Sequence, residues 1–228
     1  MKSVVVFGYN EYAKEIALNF TLAQTPVMIY VIDEKSLKEA KADSFEAALV
    51  ELDDDWLEIG EKFDIKQLIC FCALDDDAQN VFLTISLRAE YEELFIISLA
   101  TSKVSADKLH LAGANKAVAK LETTANAIVE CLEKPAVVEV MHEILYHNKE
   151  LKLAEYTVNS ESVLVNQQLH DITLHESFDI IILAIADKRI EAEFTFTSAG
   201  YNHTVKAGDV LVVIGREKDL ENFEKAII

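Results

Sequence analysis

Gly8, Asn10, Ala13 and Asp33 have types and spacing that could do chemistry, and that chemistry is the holding of a sugar and a phosphate. Gly8 follows the apolar run Val4-Val5-Val6-Phe7 and precedes a helix-patterned stretch, Glu11 to Phe20. Asp33-Glu34 closes the next apolar run, Val27 to Ile32. A glycine at a strand end lets the backbone turn where a side chain would clash. The free amides of the following helix then face any anion above the strand ends, and a carboxylate one strand further on can accept hydrogen bonds from a ribose. The pattern is that of a dinucleotide-binding βαβ unit with a defect. In Gly8-Tyr9-Asn10-Glu11-Tyr12-Ala13 the first glycine is present, the second is Asn10, and the third is the tolerated Ala13. Asn10 adds a side chain where backbone should approach a pyrophosphate, and Glu11 brings negative charge to the same mouth. An ordinary strand-to-helix turn without a ligand is an equal alternative for this segment.

No other set of residues carries a reaction. The histidines (His110, His142, His147, His170, His175 and His203) are scattered. His142 and His147 are five apart and miss the i,i+4 spacing of a helical zinc pair, while Glu143 and His147, four apart, suit a surface ion pair. There is no Gly-x-Ser-x-Gly elbow, and Cys70, Cys72 and Cys131 lack zinc or nucleophile spacing. Strand alternation puts Cys70 and Cys72 on one sheet face as buried thiols. The acidic runs Asp53-Asp54-Asp55 and Asp75-Asp76-Asp77 read as solvated loops and helix N-termini, with a collected cation as the alternative. An NAD-dependent oxidoreductase is the main enzymatic alternative. It would need a substrate domain, for which the about 75 residues after Leu153 leave little room.

The elements that must position these residues alternate. Strands are predicted at Val4–Phe7, Val27–Ile32, Ala47–Val50, Leu68–Cys72, Leu94–Ser98 and Ala117–Ala119. Helices are predicted over Glu11–Phe20, Asp76–Ala89 (with Val81, Ile85 and Leu87 as its apolar positions) and from Ser105 to a stop at Gly113. Alternation of this kind implies an α/β fold with a doubly wound parallel sheet. Thr123 to His147 reads as one long helical stretch that Pro135 must kink or restart, with an apolar stripe at Val137, Val138, Met141, Ile144 and Leu145 that calls for a partner. Strands at Leu153–Val158, Asp179–Ala186, Arg189–Phe196 and Val210–Gly215, a turn at Asp187-Lys188 and a closing helix from Glu217 give a small α+β domain. The expected division is 1–122, 123–150 and 151–228. A net charge of −19 over 228 residues argues against nucleic acid and against direct binding to an anionic lipid surface. No apolar run reaches the ~18 residues of a membrane span, and the composition suits a reducing cytoplasm.

Four stretches together resemble a known family. They are Val4-Val5-Val6-Phe7-Gly8 with Asp33-Glu34; Asp75-Asp76-Asp77-Ala78-Gln79-Asn80; Ala106-Asp107-Lys108-Leu109 with Ala112-Gly113-Ala114-Asn115; and Lys206-Ala207-Gly208-Asp209-Val210-Leu211-Val212-Val213-Ile214-Gly215. In order and spacing the chain resembles the regulator of K⁺ conductance (RCK) domains, the Trk/Ktr nucleotide-binding domains, over essentially its whole length. The resemblance implies a Rossmann-like N-terminal domain, a crossover helix and a small C-terminal domain. It also implies dimers that join into a ring, usually of eight domains, on the cytoplasmic side of a membrane K⁺ channel or transporter pore, with ligands biasing the ring. It would place an adenine nucleotide over Gly8, Tyr9 and Asn10, its ribose on Asp33 or Glu34 and its base flanked by Asp53 and Ala73. NAD(H), ATP or ADP suits that pocket better than NADP, because Asp33 and Glu34 would repel a 2′-phosphate. The degraded fingerprint leans towards channel-type members. Some of those bind Ca²⁺ through glutamates after the fifth strand, where Ser98 to Ser102 here carry no carboxylate.

Overall fold

The β-branched and aromatic run Val4-Val5-Val6-Phe7 makes up most of the central strand β1 (Ser3–Phe7), and Val27–Val31 (β2) and Leu68–Cys72 (β4) pair in parallel on either side of it. The computed structural model describes residues 2–147, 150–172, 178–186, 194–196 and 203–227. They fall into two compact units, Met1–Val129 and Glu130–Ile228.

In the first unit, Glu46–Leu49 (β3), Phe95–Ala100 (β5) and Lys116–Ala119 (β6) complete a six-stranded sheet in the order β3-β2-β1-β4-β5-β6, every described pairing parallel. The helices between them are α1 (Glu11–Leu22), α2 (Glu34–Ala42), α3 (Leu57–Lys62), α4 (Asp77–Glu90) and α5 (Lys103–Leu111). Alternate residues of each strand enter different cores. Val4, Val6, Ile29 and Val31 pack against Ala13, Ala17 and Ala40 of α1 and α2. Val5, Phe7, Cys70 and Ile96 pack against Ile59, Leu83 and Leu87 of α3 and α4. Burial of both strand faces is what near-continuous apolar strands require, and each large side chain so buried contributes roughly 1.5–3 kcal/mol. Cys70 and Cys72 share one face as buried thiols, and burial pushes both pKa values up, that of Cys72 to about 11.

The α4 face differs from the periodicity expected. Asn80, Leu83, Thr84 and Leu87 turn inward, whereas Ile85 is half exposed. Two polar residues take core positions because buried partners await them. The Asn80 side chain accepts from Leu74 N (2.9 Å) and donates to Leu74 O (2.9 Å) and Leu99 O (3.0 Å). Thr84 Oγ1 bonds Asn80 O (2.7 Å) and Ser98 Oγ (2.8 Å). Two further helices, α2 and α3, lie where the sequence pattern marked none.

Pro135 restarts the long helical stretch. Helix α6 (Lys120–Glu133) ends, Lys134 leaves helical geometry, and α7 (Pro135–His142) begins with the proline at its first turn, where its missing N–H costs nothing. The division between the units falls inside α6. In the second unit, Leu151–Thr157 (β7), Ile181–Ala186 (β8), Phe194–Phe196 (β9) and Val210–Arg216 (β10) form an antiparallel sheet in the order β7-β10-β8-β9. Helix α8 (Glu217–Ile227) buries Leu220 and Phe223 against Val158, Ile185 and Leu211. Of the strand expected at 189–196 only 194–196 is described, and the turn at 187–188 lies outside the described residues.

Candidate functional site

The sheet order reverses between β1 and β4, and a cleft opens there at the carboxyl ends of the strands, where ligands of open α/β sheets bind. Its volume is about 150 Å³. Gly8 makes the cleft's tight turn: its φ is +105°, and a Cβ there would lie 2.6 Å from Ala73 O. Gly8 N donates to Tyr30 O (2.8 Å) and Ala73 N to Phe7 O (2.9 Å), so the two loops run side by side.

Asn10, at the position of the second glycine, occupies the mouth of α1. Its Oδ1 accepts from Ala13 N (3.0 Å), capping the helix. Its Nδ2 donates to Ala73 O (2.8 Å) and to Asp75 Oδ1 (2.8 Å). The helix N-terminus where a phosphate would sit therefore holds a carboxamide, with a carboxylate just beyond it. Ala13 is fully buried, which lets α1 approach the sheet closely.

Asp33 also lines the cleft and caps α2. Oδ1 accepts from Lys35 N (3.0 Å) and Ser36 N (2.9 Å), and Oδ2 from Ser36 Oγ (2.7 Å). The Ser36 amide foremost, then its hydroxyl, holds the Asp33 carboxyl below the usual carboxylate range. A carboxylate has about four acceptor sites, so Asp33 can still receive a ribose hydroxyl. Tyr9 lines the cleft, but its hydroxyl is committed to Asp43 Oδ2 (2.6 Å), which also pairs with Lys14 (2.5 Å). Burial, and then Asp43, raises the Tyr9 phenol.

Of the residues singled out in the sequence, Gly8, Tyr9, Asn10, Asp33 and Ala73 come together around this cleft. Glu34 and Asp53 do not line it. Glu34 is carried into the first turn of α2 by the cap that Asp33 makes, and Asp53 is exposed in the turn between β3 and α3. Asp75 and Asp76 are lining residues the motif did not mark, and no Lys or Arg lines the cleft among the described residues. The acidic run 75–77 has structural duties: Asp76 caps α4 through Gln79 N (2.9 Å), and Asp77 accepts from Thr101 N (3.0 Å) and Thr101 Oγ1 (2.6 Å). Among the described residues no group of three or more His, Cys, Asp or Glu is gathered to hold a metal ion.

His142 and His147 are nevertheless brought together, ring centroids 4.9 Å apart, because Glu143–His147 forms a π-helical turn. Such a turn repeats at i,i+5, so five-residue spacing that splits two side chains on an α-helix aligns them here.

The parallel doubly wound sheet with a cleft at its switch point defines a Rossmann-type α/β domain, followed in sequence by a separate antiparallel-sheet unit. The chain belongs to the TrkA-N domain family, which matches residues 4–120, and its residues 153–228 match the TrkA-C domain. Two relatives from Methanocaldococcus jannaschii match 98% of it: potassium channel protein 1, 27% identical, and the probable potassium channel protein 2, 25% identical. The chain spans 66% of the length of each. Among solved structures, the NAD(P)-binding domain of an exopolyphosphatase-related protein from Archaeoglobus fulgidus is similar over 59% of this chain and 99% of its own, with a TM-score of 0.52 and 17% identity. No helix among the described residues is long and apolar enough to cross a membrane.

Proposed function

We propose that this chain is a ligand-sensing regulatory part of a potassium channel or transporter, acting as the gating element on the cytoplasmic face of the membrane and performing no turnover of its own. The observation that carries this is the TrkA-N and TrkA-C domains in series within a chain homologous to potassium channel proteins. A regulator needs differential affinity for two shapes rather than a catalytic group. The cleft suits that role: it offers a ribose acceptor and a helix N-terminus but no acid–base pair.

The ligand we assign to the cleft is an adenine nucleotide, NAD(H), ATP or ADP. Its ribose would rest on Asp33 and its phosphates near Gly8 and Asn10. At about 150 Å³ the cleft is smaller than a usual small-molecule pocket of roughly 300–1,000 Å³. Occupancy therefore requires Asn10 to release Ala73 and Asp75, and that release is the conformational event a nucleotide would drive. Calorimetry with NADH, ATP and ADP tests the assignment, and undetectable binding of all three at millimolar concentration would sink it.

Assembly follows from α6 and α7. Leu121, Ile128, Leu132, Val137, Val140 and Leu145 are each more than half exposed in the single chain. We propose that these faces pair two copies, with larger rings built from the dimers. Sedimentation should show a dimer, and Met141→Asp should drive it towards monomer, since an unpaired buried charge is costly. Potassium flux through the pore that carries or docks this chain should persist without it yet lose its response to added ADP or NADH. Consumption of NADH with a small carbonyl substrate would instead favour the oxidoreductase reading.

A further inference from the structure

A pair of chemistry-bearing side chains that the proposed function does not use lies in the second unit, where α7 runs into the π turn Glu143–His147. His142 ends α7 and His147 ends the turn. Both are exposed in the single chain, and their ring centroids lie 4.9 Å apart with the planes tilted by 34°. On an α-helix, residues five apart point about 140° away from each other round the axis. The π turn is therefore what gathers the two rings, and π turns are rare in helices and concentrate at functional sites.

The separation is one that two imidazoles sharing a metal ion require. With Zn–N bonds of about 2.0–2.1 Å, two rings aimed at one tetrahedral or cis-octahedral ion have centroids roughly 4.5–5.2 Å apart. The local charge suits a cation, since α7 and the π turn together carry Glu139 and Glu143 and no Lys or Arg. Imidazole selects borderline transition-metal dications, whereas Mg²⁺ and Ca²⁺ prefer oxygen ligands. Among the described residues no third His, Cys, Asp or Glu joins the pair in a group. Water then completes the coordination, which makes the site an open and exchangeable one rather than a closed structural zinc centre.

We propose that His142 and His147 chelate a transition-metal dication of the Zn²⁺ or Ni²⁺ class, and that the ion holds this segment in its π turn. In an α-helical form of the same five residues the imidazoles separate. The ion thus binds one shape and not the other, and its binding shifts the segment towards the π form. The segment leads into β7, the first strand of the second unit's sheet.

Calorimetry with NiCl₂ on the full chain tests this, in a Cys131→Ser background because an exposed thiol also ligates metal. The expected result is one saturable Ni²⁺ site per chain that excess Mg²⁺ does not displace. Losing a group that merely orients a metal ligand costs about 10–100-fold in affinity, so His142→Ala and His147→Ala, which each remove a ligand, should weaken Ni²⁺ by at least about 10-fold. Both residues are exposed, so neither change removes core packing. His110→Ala, on α5, should bind Ni²⁺ as the parent does. Hydrogen exchange at amides 143–147 should slow when Ni²⁺ is added, and His147→Ala should abolish that slowing. The chelate is overturned if Ni²⁺ binding does not saturate, if Mg²⁺ displaces it, or if either histidine variant binds as the parent does. Exchange at 143–147 that ignores bound Ni²⁺ overturns the hold on the π turn.

Discussion

The two concavities of the first unit handle polar groups in opposite ways. At the switch point, which bears the motif, Asn10 and Asp33 are bonded by neighbouring loops and helix ends, and the adjoining Asn80 is likewise fully engaged. At the sheet edge, in the concavity between β2, β3 and α3 that bears no motif, the Trp56 Nε1 is buried without a protein hydrogen-bond partner and is sealed from the space beside it. A site whose polar groups already satisfy one another must break those bonds to take a ligand, so binding there is coupled to a change of shape. A sealed donor, by contrast, adds nothing to binding in the space beside it, and its desolvation is not recovered. The first arrangement suits a switch.

The largest expected effect comes from Gly8→Ala. The added Cβ would meet backbone at 2.6 Å in a residue at φ +105°, so unfolding by urea should show a loss of at least about 3 kcal/mol. A small loss would mean the Gly8 and Ala73 loops are already separable, and the contrast between the locked cleft and the sheet edge would fall. Asn80→Ala comes next. It strands one N–H and two carbonyls inside the core, for an expected cost of about 2–3 kcal/mol by the same measurement.

Asn10→Gly sharpens the comparison. It restores the second fingerprint glycine and removes the bonds to Ala73 and Asp75. As a helix cap, glycine in place of asparagine costs only a few tenths of a kcal/mol, so calorimetry should read adenine-nucleotide affinity about 10-fold higher, a gain of roughly 1.4 kcal/mol. Unchanged or weaker binding would show that Asn10 is not what closes the cleft. Asp33→Asn is smaller still: asparagine caps a helix as well as aspartate does, so stability at neutral pH should hold while nucleotide affinity drops about 5-fold. This variant also carries a pH signature. The Asp33 carboxyl is held below its ordinary range, chiefly by the Ser36 amide. Its contribution is complete above the ordinary aspartate value of about 3.9 and is lost as pH falls through the lower folded one. Acid unfolding of Asp33→Asn should lack that component.

Much of the architecture was legible from local chemistry. The run Leu68–Cys72 is a strand with the bounds its composition implies, Gly113 ends α5 at φ +104°, and Pro135 restarts a helix because its ring tolerates only the first turn. Three features that only the fold showed share one cause. Val81, Ile85 and Leu87 are the apolar positions expected of α4, yet Asn80 and Thr84 take core positions that periodicity does not mark, because it counts side-chain polarity and cannot see a buried carbonyl waiting across the loop. His142 and His147 miss the i,i+4 spacing of an α-helical zinc pair, and their rings nevertheless meet because a π turn changes the repeat. Glu34 stands as the alternative to Asp33 for the ribose, yet Asp33 caps a helix whose first turn takes Glu34 out of the cleft.

The sequence by itself determined the strand–helix alternation, the tight turn at Gly8 and the departure from the glycine fingerprint at Asn10. All of these rest on backbone stereochemistry and on which residues bury favourably. Only the tertiary structure decided that Asn10 bridges to Asp75, 65 residues away, and that Tyr30 and Trp56 meet over Phe7. Whether a polar atom is satisfied depends on partners that the fold, and not the local chain, brings within about 3 Å.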